Sequence, residues 1–575
     1  MVTEGQELPE EAVSAIEKNA LLNAVRHGGR AEVGVVMSRV LGDFPGLRSD
    51  PGDVAREVSS AVKRVNSMSV SEQKSMLESR YPGTAASGPR VPEVHQLRPL
   101  EGAVRGKSCF RLPPEPSGFM TIGHAMAFTV NSVYKEMYDG KLWLRFEDTN
   151  PKKVDLRYYE SFRHGINWLS IKCDNEKNVS DDMEVLYEYG RRMLAEGTAY
   201  ACSCGAAKVK SMRFEGTECE HRNVPESVSL RVWDELLAKK HHEGEYVVRF
   251  RGDMKNTNFS LRDPNLFRVI EHTHPMTLDR YTLWPTYYLA NTIEDHICGI
   301  THILRSSEFN PELQQRIRRA LGLSQVQVVQ FSRYNFKGTP VHKRLLRALV
   351  EQKLVSGWDD PRMPTVEGVR RRGIIPDAIR QFTVQVGYTK TQHEYDWSLL
   401  FSLNRKILDP VAKRLFFVPD PVELTVDSAP LRRVTIPFHP GNNLGTRTVE
   451  TKERFFVPSS DLREMESGTI FRLMDLFNLK LTSREKVPSA KYAGDELIPE
   501  TRKLQWVTPN HREATVMVFD ALYDEKGEFI RSGRREVSGY VEESAEDLGL
   551  GEIVQFLRFG FCRKDSPSTF ILAHK

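Results

Sequence analysis

The sequence predicts a multidomain α/β protein: a helical N-terminal segment, a parallel-sheet nucleotide fold broken by an insertion, a second helical segment and C-terminal β-barrels. Three observations predict it. Apolar residues recur at helical spacing before residue 95, strands alternate with helices from 96 to 335, and short strands separated by Pro, Gly and Asn fill the chain beyond 410. With 575 residues, 40% apolar and 27% charged, the chain has the length for several cores and a globular composition. No run of about 18 apolar residues occurs, which excludes a membrane-spanning helix. The start, "MVTEGQELPEEAVSAIE", is acidic where an export signal would be basic and then apolar, so a cytoplasmic location is expected. A net charge of +4 is too small to argue for nucleic acid, so local clusters must carry that argument. Seven cysteines are few and odd in number, with two at C-x-C spacing, which favours reduced thiols used for metal.

Val13, Ile16, Ala20, Leu21 and Ala24 define the first helix, and a second amphipathic stretch runs from Val33 to Leu41. "RYPGTAASGPRVP" then reads as a linker, so residues 1–95 form an N-terminal extension that either touches RNA or a partner, or caps the fold. Residues 96–200 open the nucleotide fold. A strand at 109–113 turns through Pro113, Pro114, Pro116 and Gly118 into a helix beginning at Ile122. Such a helix start offers backbone N–H groups and a positive dipole end to phosphate. Gly118 and Gly123 permit close approach, and His124 can donate a charge-assisted hydrogen bond there. The strand "KLWLRFED" ends in Glu147 and Asp148, suited to an ammonium group, or alternatively a helix cap and a surface carboxylate.

Residues 201–280 read as an insertion. Cys202, Cys204, Cys219 and His221 form C-x-C and C-x-H pairs that suit a closed tetrahedral zinc site; the alternative is unligated thiols in a loop. Arg249, Arg251, Lys255 and Arg268 beside predicted strands could meet RNA backbone or form a solvated face. The fold resumes over 281–335, where Tyr287, Asn291 and Asp295 share one helix face and Arg305 ends a strand, where it could take a carboxylate in a bidentate fork or be a surface arginine. Residues 336–408 hold a loop, Gly338 to Pro340, before a helix with Lys343 and Arg344 in its first turn. Cations there oppose the helix dipole at about 0.3–1 kcal/mol each, a cost that a bound anion would explain; the alternative is a solvated basic turn. Arg370, Arg371 and Arg372 form a basic turn that either seats on a phosphate backbone or is solvated. Residues 409–575 predict the barrels.

"RLPPEPSGFMTIGHA" and, about 220 residues on, "VHKR" resemble the two signatures of the class I aminoacyl-tRNA synthetases, in the version shared by their glutamyl and glutaminyl branches. The resemblance runs from about residue 15 to the C-terminus and is closest to the archaeal glutamyl branch. It implies a Rossmann-type catalytic domain, an inserted acceptor-end-binding domain with a zinc loop at Cys202, Cys204, Cys219 and His221, a stem-contact domain carrying Arg370, Arg371 and Arg372, and anticodon-binding barrels. It also implies a two-step reaction: glutamate attacks ATP to give glutamyl-adenylate, and the acyl group passes to the terminal adenosine of tRNA, with no side-chain nucleophile. Implied roles are ATP binding by Pro114, Glu115, Gly118, Gly123, His124 and Lys343, and catalysis by His124, Lys343, Thr121 and Arg344. Glutamate falls to Arg111, Glu147, Tyr287, Asn291 and Arg305. ATP with Mg2+ and a structural Zn2+ are the implied cofactors, and tRNA(Glu), with tRNA(Gln) as a second acceptor, the implied partners of a monomer. Thr121 replaces the first His of the family's "HIGH", and His342 replaces the Ser of "MSKR". Glutamyl enzymes carry Arg at the position of Arg305, where glutaminyl enzymes have a small uncharged residue. The alternatives are a glutaminyl enzyme, against which Arg305 argues, and a non-catalytic tRNA-binding relative.

Overall fold

A computed structural model describes residues 8–26, 29–44, 47, 51–81, 97–308, 310–339, 343–485, 487–524 and 526–575. Most of the expected linker, together with Val341 and His342, lies outside them. The chain divides into two compact units, Met1–Gln96 and Leu97–Lys575. None of the described helices is long and apolar enough to cross a membrane.

Among the described residues the first unit holds four helices, α1 (Glu10–Arg26), α2 (Val33–Asp43), α3 (Pro51–Asn66) and α4 (Val70–Arg80). Ile16, Leu21, Val40, Val58 and Leu77 are fully buried between them. At the start of α4 the Glu72 carboxylate accepts from the Ser69 N–H while Ser69 Oγ accepts from the Glu72 N–H, so the helix begins on a closed capping box.

The second unit opens with β1 (Cys109–Leu112), α5 (Ile122–Met137), β2 (Lys141–Phe146), α6 (Leu156–Trp168) and β3 (Asn175–Asn178), the strands parallel and ordered β1-β2-β3. Next come α7 (Met183–Ala195), β4 (Ala199–Cys202), α8 (Ala206–Glu215), α9 (Glu226–Leu237), β5 (Val247–Phe250), β6 (Asn265–Val269) and β7 (Leu283–Pro285). Here β4-β5-β6-β7 form an antiparallel sheet of their own, which is the insertion. The nucleotide fold resumes with α10 (Tyr287–Ile297), β8 (His302–Ser306), α11 (Pro311–Ala320) and β9 (Gln327–Phe331), β8 and β9 parallel. The Cys109 N–H donates to Thr301 Oγ1 at 2.9 Å and the Thr301 N–H to the Cys109 carbonyl at 3.0 Å, which sets β8 beside β1. The strand order is therefore β3-β2-β1-β8-β9, and the direction of winding reverses between β1 and β8. Ligands of open parallel sheets bind at such a reversal, outside the strands' C-terminal ends.

The helical segment follows: β10 (Tyr334–Phe336), α12 (Lys343–Glu351), α13 (Val366–Arg372), α14 (Pro376–Val386), β11 (His393–Tyr395) and α15 (Trp397–Leu408). It fixes the loop before α5. The Ile122 N–H donates to the Pro364 carbonyl at 2.7 Å, the Val366 N–H to the Met120 carbonyl at 2.9 Å, and Phe119 stacks on Trp358 at 4.8 Å.

Two barrels close the chain. In the seven-stranded sheet the edge strands are Arg414–Leu415 and Phe417–Pro419, two halves of one run, so the sheet returns on itself. In the six-stranded sheet, edge residue Phe456 exchanges backbone hydrogen bonds with Val507, just past the opposite edge. Alternation along residues 415–418 then serves both barrels: Leu415 and Phe417 enter one core, Phe416 and Val418 the other.

Candidate active site

The signature loops, more than 200 residues apart in sequence, meet. Lys343, at the start of α12, lays its stem over Gly118, where an added Cβ would stand 3.1 Å from Lys343 Cδ. Its Nζ donates to Ser117 Oγ at 2.8 Å. Ser117 Oγ donates in turn to Glu115 at 2.8 Å, and Glu115 faces Lys343 at 4.0 Å and Lys153 at 3.8 Å. The Glu115 carboxylate thus faces two ammonium groups, Lys343 and Lys153, at the loop. Burial holds the Lys343 ammonium below the usual lysine range. Arg344, in the same turn, is exposed.

His124 differs from expectation in its protonation. The Thr121 N–H donates to His124 Nδ1 at 3.1 Å, and Thr121 Oγ1 lies 2.9 Å from the same nitrogen. A ring nitrogen accepting a backbone N–H carries no proton, so the imidazole is the neutral tautomer with its hydrogen on Nε2. Burial, then Lys343 and Arg333, push its pKa down to about 3. His124 therefore donates as a neutral group rather than as an imidazolium. Thr121 orients His124.

At the C-terminal ends of β1, β2 and β8 a buried polar pocket assembles. Arg111 Nε donates to Asp295 Oδ1 at 2.8 Å, Arg145 Nη2 donates to the same oxygen at 2.9 Å, and Arg318 reaches Asp295 Oδ2 at 3.3 Å. These cations hold the Asp295 carboxyl below its usual range despite complete burial. Glu147 Oε1 accepts from Arg145 Nε and Asn291 Nδ2, each at 2.9 Å. The Glu147 N–H donates to the Pro114 carbonyl at 2.8 Å, so that proline positions β2's end and touches the site through backbone. Gln314 Nε2 donates to Asn291 Oδ1 at 2.9 Å, and Arg305 Nη1 donates to Gln314 Oε1 at 2.5 Å. Tyr287 hydrogen-bonds Arg305 and raises its pKa, while burial acts in the opposite direction and prevails. Four guanidinium groups thus face two carboxylates, an excess of two positive charges. Arg111 Nη1 is buried with no partner among the described residues, and Glu147 Oε2 accepts no hydrogen bond among them. The first suits an incoming carboxylate, the second an incoming ammonium.

The structure brings together the expected Arg111, Glu147, Tyr287, Asn291 and Arg305, and adds Arg145, Gln314 and Arg318, which the sequence reading did not single out. The last two stand four residues apart on α11 and so share a face, a signal present in the sequence. Asp148, beside the pocket, accepts from Ser180 N–H, Ser180 Oγ and Tyr159 OH, and burial raises it to about 6. Its carbonyl lies 2.9 Å from His274 Nε2, tying β2 to the insertion.

In the insertion the four predicted metal ligands converge, every ligand atom within 4.8 Å of the others. Cys202 and Cys219 sulfurs lie 3.9 Å apart, and Cys204 Sγ is 3.4 Å from His221 Nδ1. Tetrahedral zinc, with Zn–S about 2.3 Å and Zn–N about 2.0 Å, sets ligand separations of that size. Arg249 Nη1 points at the Cys202 and Cys219 sulfurs at 3.9 and 3.7 Å, and His221 Nε2 meets Ser203 Oγ at 3.0 Å. The donor set fits a metal ion. Arg249, 1% exposed, is thereby committed to the cluster and not to RNA.

The basic turn is also corrected. Arg372 donates to the Ala573 and Phe519 carbonyls and lies 4.8 Å over Phe401, and burial pushes it down to about 10. Arg371 forms ion pairs with Asp565 at 2.7 Å and Asp359 at 3.0 Å. Both join the helical segment to the seven-stranded barrel. Arg370 alone of the three is exposed, paired with Glu367 at 2.7 Å.

Residues 108–410 match the family described as "tRNA synthetases class I (E and Q), catalytic domain". Residues 412–493 and 503–565 match its two anti-codon binding domains. A curated relative from Nitrosopumilus maritimus, named glutamate-tRNA ligase, is 37% identical across 99% of this chain and 100% of its own. One from Cenarchaeum symbiosum with the same name is 38% identical across 97% and 98%, and one from Pyrococcus furiosus 36% identical across 97% and 99%. A solved glutamate tRNA ligase from Elizabethkingia meningosepticum aligns over 52% of this chain and 70% of its own at 20% identity, with a TM-score of 0.41. On the family match and these near-complete relatives, the chain belongs to the class I (E and Q) tRNA synthetase family.

Proposed function

We propose that this chain is a glutamate-tRNA ligase that activates glutamate with ATP and transfers it to the 3′-terminal adenosine of tRNA(Glu), with tRNA(Gln) a second acceptor. The observation that carries the choice of amino acid is the excess of guanidinium charge around Arg111 and Arg305. A carboxylate side chain gains from both, and an amide gains from neither to the same degree. Glu147 Oε2 receives the α-ammonium, Asn291 holds Glu147 in place, and Tyr287 orients Arg305. The carboxylate of glutamate then attacks the α-phosphate of ATP. His124 Nε2–H donates to a phosphate oxygen, and Lys343 leaves Ser117 to follow the charge that develops as pyrophosphate departs. Gly118 and Gly123 give the nucleotide access to the backbone, Pro114 and Glu115 shape and balance the loop, and Arg344 adds positive charge beside it. Class I synthetases use ATP with Mg2+, which shields the triphosphate.

The cysteine and histidine cluster holds zinc in a structural role, stiffening the insertion. Functional boundaries follow the fold: an N-terminal extension to 95, catalytic halves at 96–200 and 281–335, an acceptor-end insertion at 201–280, the lysine loop and stem contact at 336–408, and anticodon barrels from 409. Arg370 is the tRNA contact left in the basic turn. Incubation with tRNA, Mg-ATP and labelled glutamate is expected to yield glutamyl-tRNA. Retention of tRNA without charging by either glutamate or glutamine would leave a binding protein instead.

A further inference from the structure

Helix α8 is anomalous in the insertion: none of its ten residues is buried. Only Val209, Met212 and Arg213 are half-buried, Met212 against Tyr200, Cys202 and Cys219, so the helix has little packing of its own. It is held at its ends. Cys204 of the metal cluster lies two residues before its start, and at its far end Arg262 Nη1 donates to the Arg213 and Phe214 carbonyls at 2.7 and 3.0 Å, while Arg213 Nη2 donates to the Phe259 carbonyl at 2.6 Å. The clamp displays two aromatic rings. Phe214 is 75% exposed and Phe259 47%, with centroids 6.1 Å apart and planes tilted by 35°. The Arg262 guanidinium covers Phe259 at 4.3 Å. Lys210 and Lys255 are exposed on the same two segments.

Exposed phenyl rings on a rigid support, interleaved with cations, are what unpaired bases stack on while their phosphates are neutralised. The rings stand too close together for a base to insert between them, so the open face of Phe214 is the stacking surface. The position relative to the chemistry is fixed by one bond: Asn310 Nδ2 donates to Ser260 Oγ, next to Phe259, at 3.0 Å. Asn310 caps α11, and Gln314 of the amino-acid pocket follows about one turn, roughly 6 Å, along that helix.

We propose that Phe214, backed by Phe259 and Arg262, is a stacking platform for a base of the unpaired 3′ end of tRNA, steering the strand into the pocket that Arg305 and Gln314 line. This rests on the reading of the chain as a tRNA-charging enzyme. The test uses the full chain, Phe214→Ala and Phe214→Trp, with intact tRNA(Glu) and with the same tRNA trimmed of its unpaired 3′ nucleotides. Because Phe214 is 75% exposed, neither variant should unfold, and Tm checks this. Phe214→Ala is expected to weaken binding of intact tRNA by roughly 5- to 150-fold and to raise its KM, with KM for glutamate and ATP unchanged and Phe214→Trp close to wild type. With trimmed tRNA the wild type and Phe214→Ala should bind alike. Equal binding of intact tRNA by both, or a deficit that persists with trimmed tRNA, would overturn the platform. Absence of charging by the wild type would sink the parent reading instead.

Discussion

Replacement of Arg305 by Leu tests substrate charge recognition while the ion pairs around Asp295 stay in place. Arg305 is 6% exposed and donates to Gln314, which holds Asn291, which holds Glu147. The leucine stem fills most of the volume, and Arg111, Arg145 and Arg318 still satisfy Asp295, so the fold keeps its principal ion pairs. What is lost is a charge-assisted fork to the substrate carboxylate. Truncating one partner of a buried charge pair costs about 2–5 kcal/mol, or roughly 30- to 4000-fold in kcat/KM for glutamate. Glutamine, which gains little from the guanidinium, should change by less than about threefold, so the preference for glutamate should collapse. Steady-state aminoacylation with each amino acid reads both numbers, and a Tm within a few degrees of wild type excludes general damage. A parallel fall for glutamate and glutamine, or no fall for glutamate, would refute the role of charge at this position.

Metal analysis should find one zinc per chain, and a strong chelator or Cys219→Ala should lower Tm; purified protein free of zinc in zinc-replete medium would contradict this. Buried His574, pressed by burial and by Arg405 and Arg372, has its pKa lowered from 6.5 to about 4. The unfolded chain takes up that proton first, so stability is lost as pH falls from about 6.5 to 4, by roughly 3 kcal/mol in total. His574→Gln should flatten that part of the profile measured by urea denaturation, and an unchanged slope would count against it. Arg372→Met should cost about 2–4 kcal/mol through lost carbonyl hydrogen bonds, whereas Arg370→Ala should leave stability within about 0.5 kcal/mol and lower the salt dependence of tRNA binding.

The parallel sheet and the barrels were legible because their patterns are local: strand, turn and helix around Phe110 to Ile122, and short strands with Pro and Gly beyond 410. Glu147 and Arg305 could be singled out because strand C-terminal ends converge in this topology, whereas Arg111 came from the resemblance to the family. The convergence of Cys202, Cys204, Cys219 and His221 was legible from their paired spacing. Arg145 was hidden, since a cation inside a strand reads as an outward face until Glu147 and Asp295 are seen around it. The basic turn misled because its fate depends on Asp565, Phe519 and Ala573, between about 150 and 200 residues away, which a run of charge does not reveal. His124 misled for a smaller reason: the Thr121 N–H that fixes its tautomer depends on the geometry of a single turn.

The most direct measurement is calorimetric binding of two inert adenylate mimics, the glutamyl and the glutaminyl sulfamoyl adenosines, to the wild-type protein. They differ only in the group that faces Arg111 and Arg305. Binding of the glutamyl compound at least about 100-fold tighter, with that ratio lost in Arg305→Leu, is the predicted result. Equal affinity for the two would contradict the pocket's selection of a carboxylate by charge.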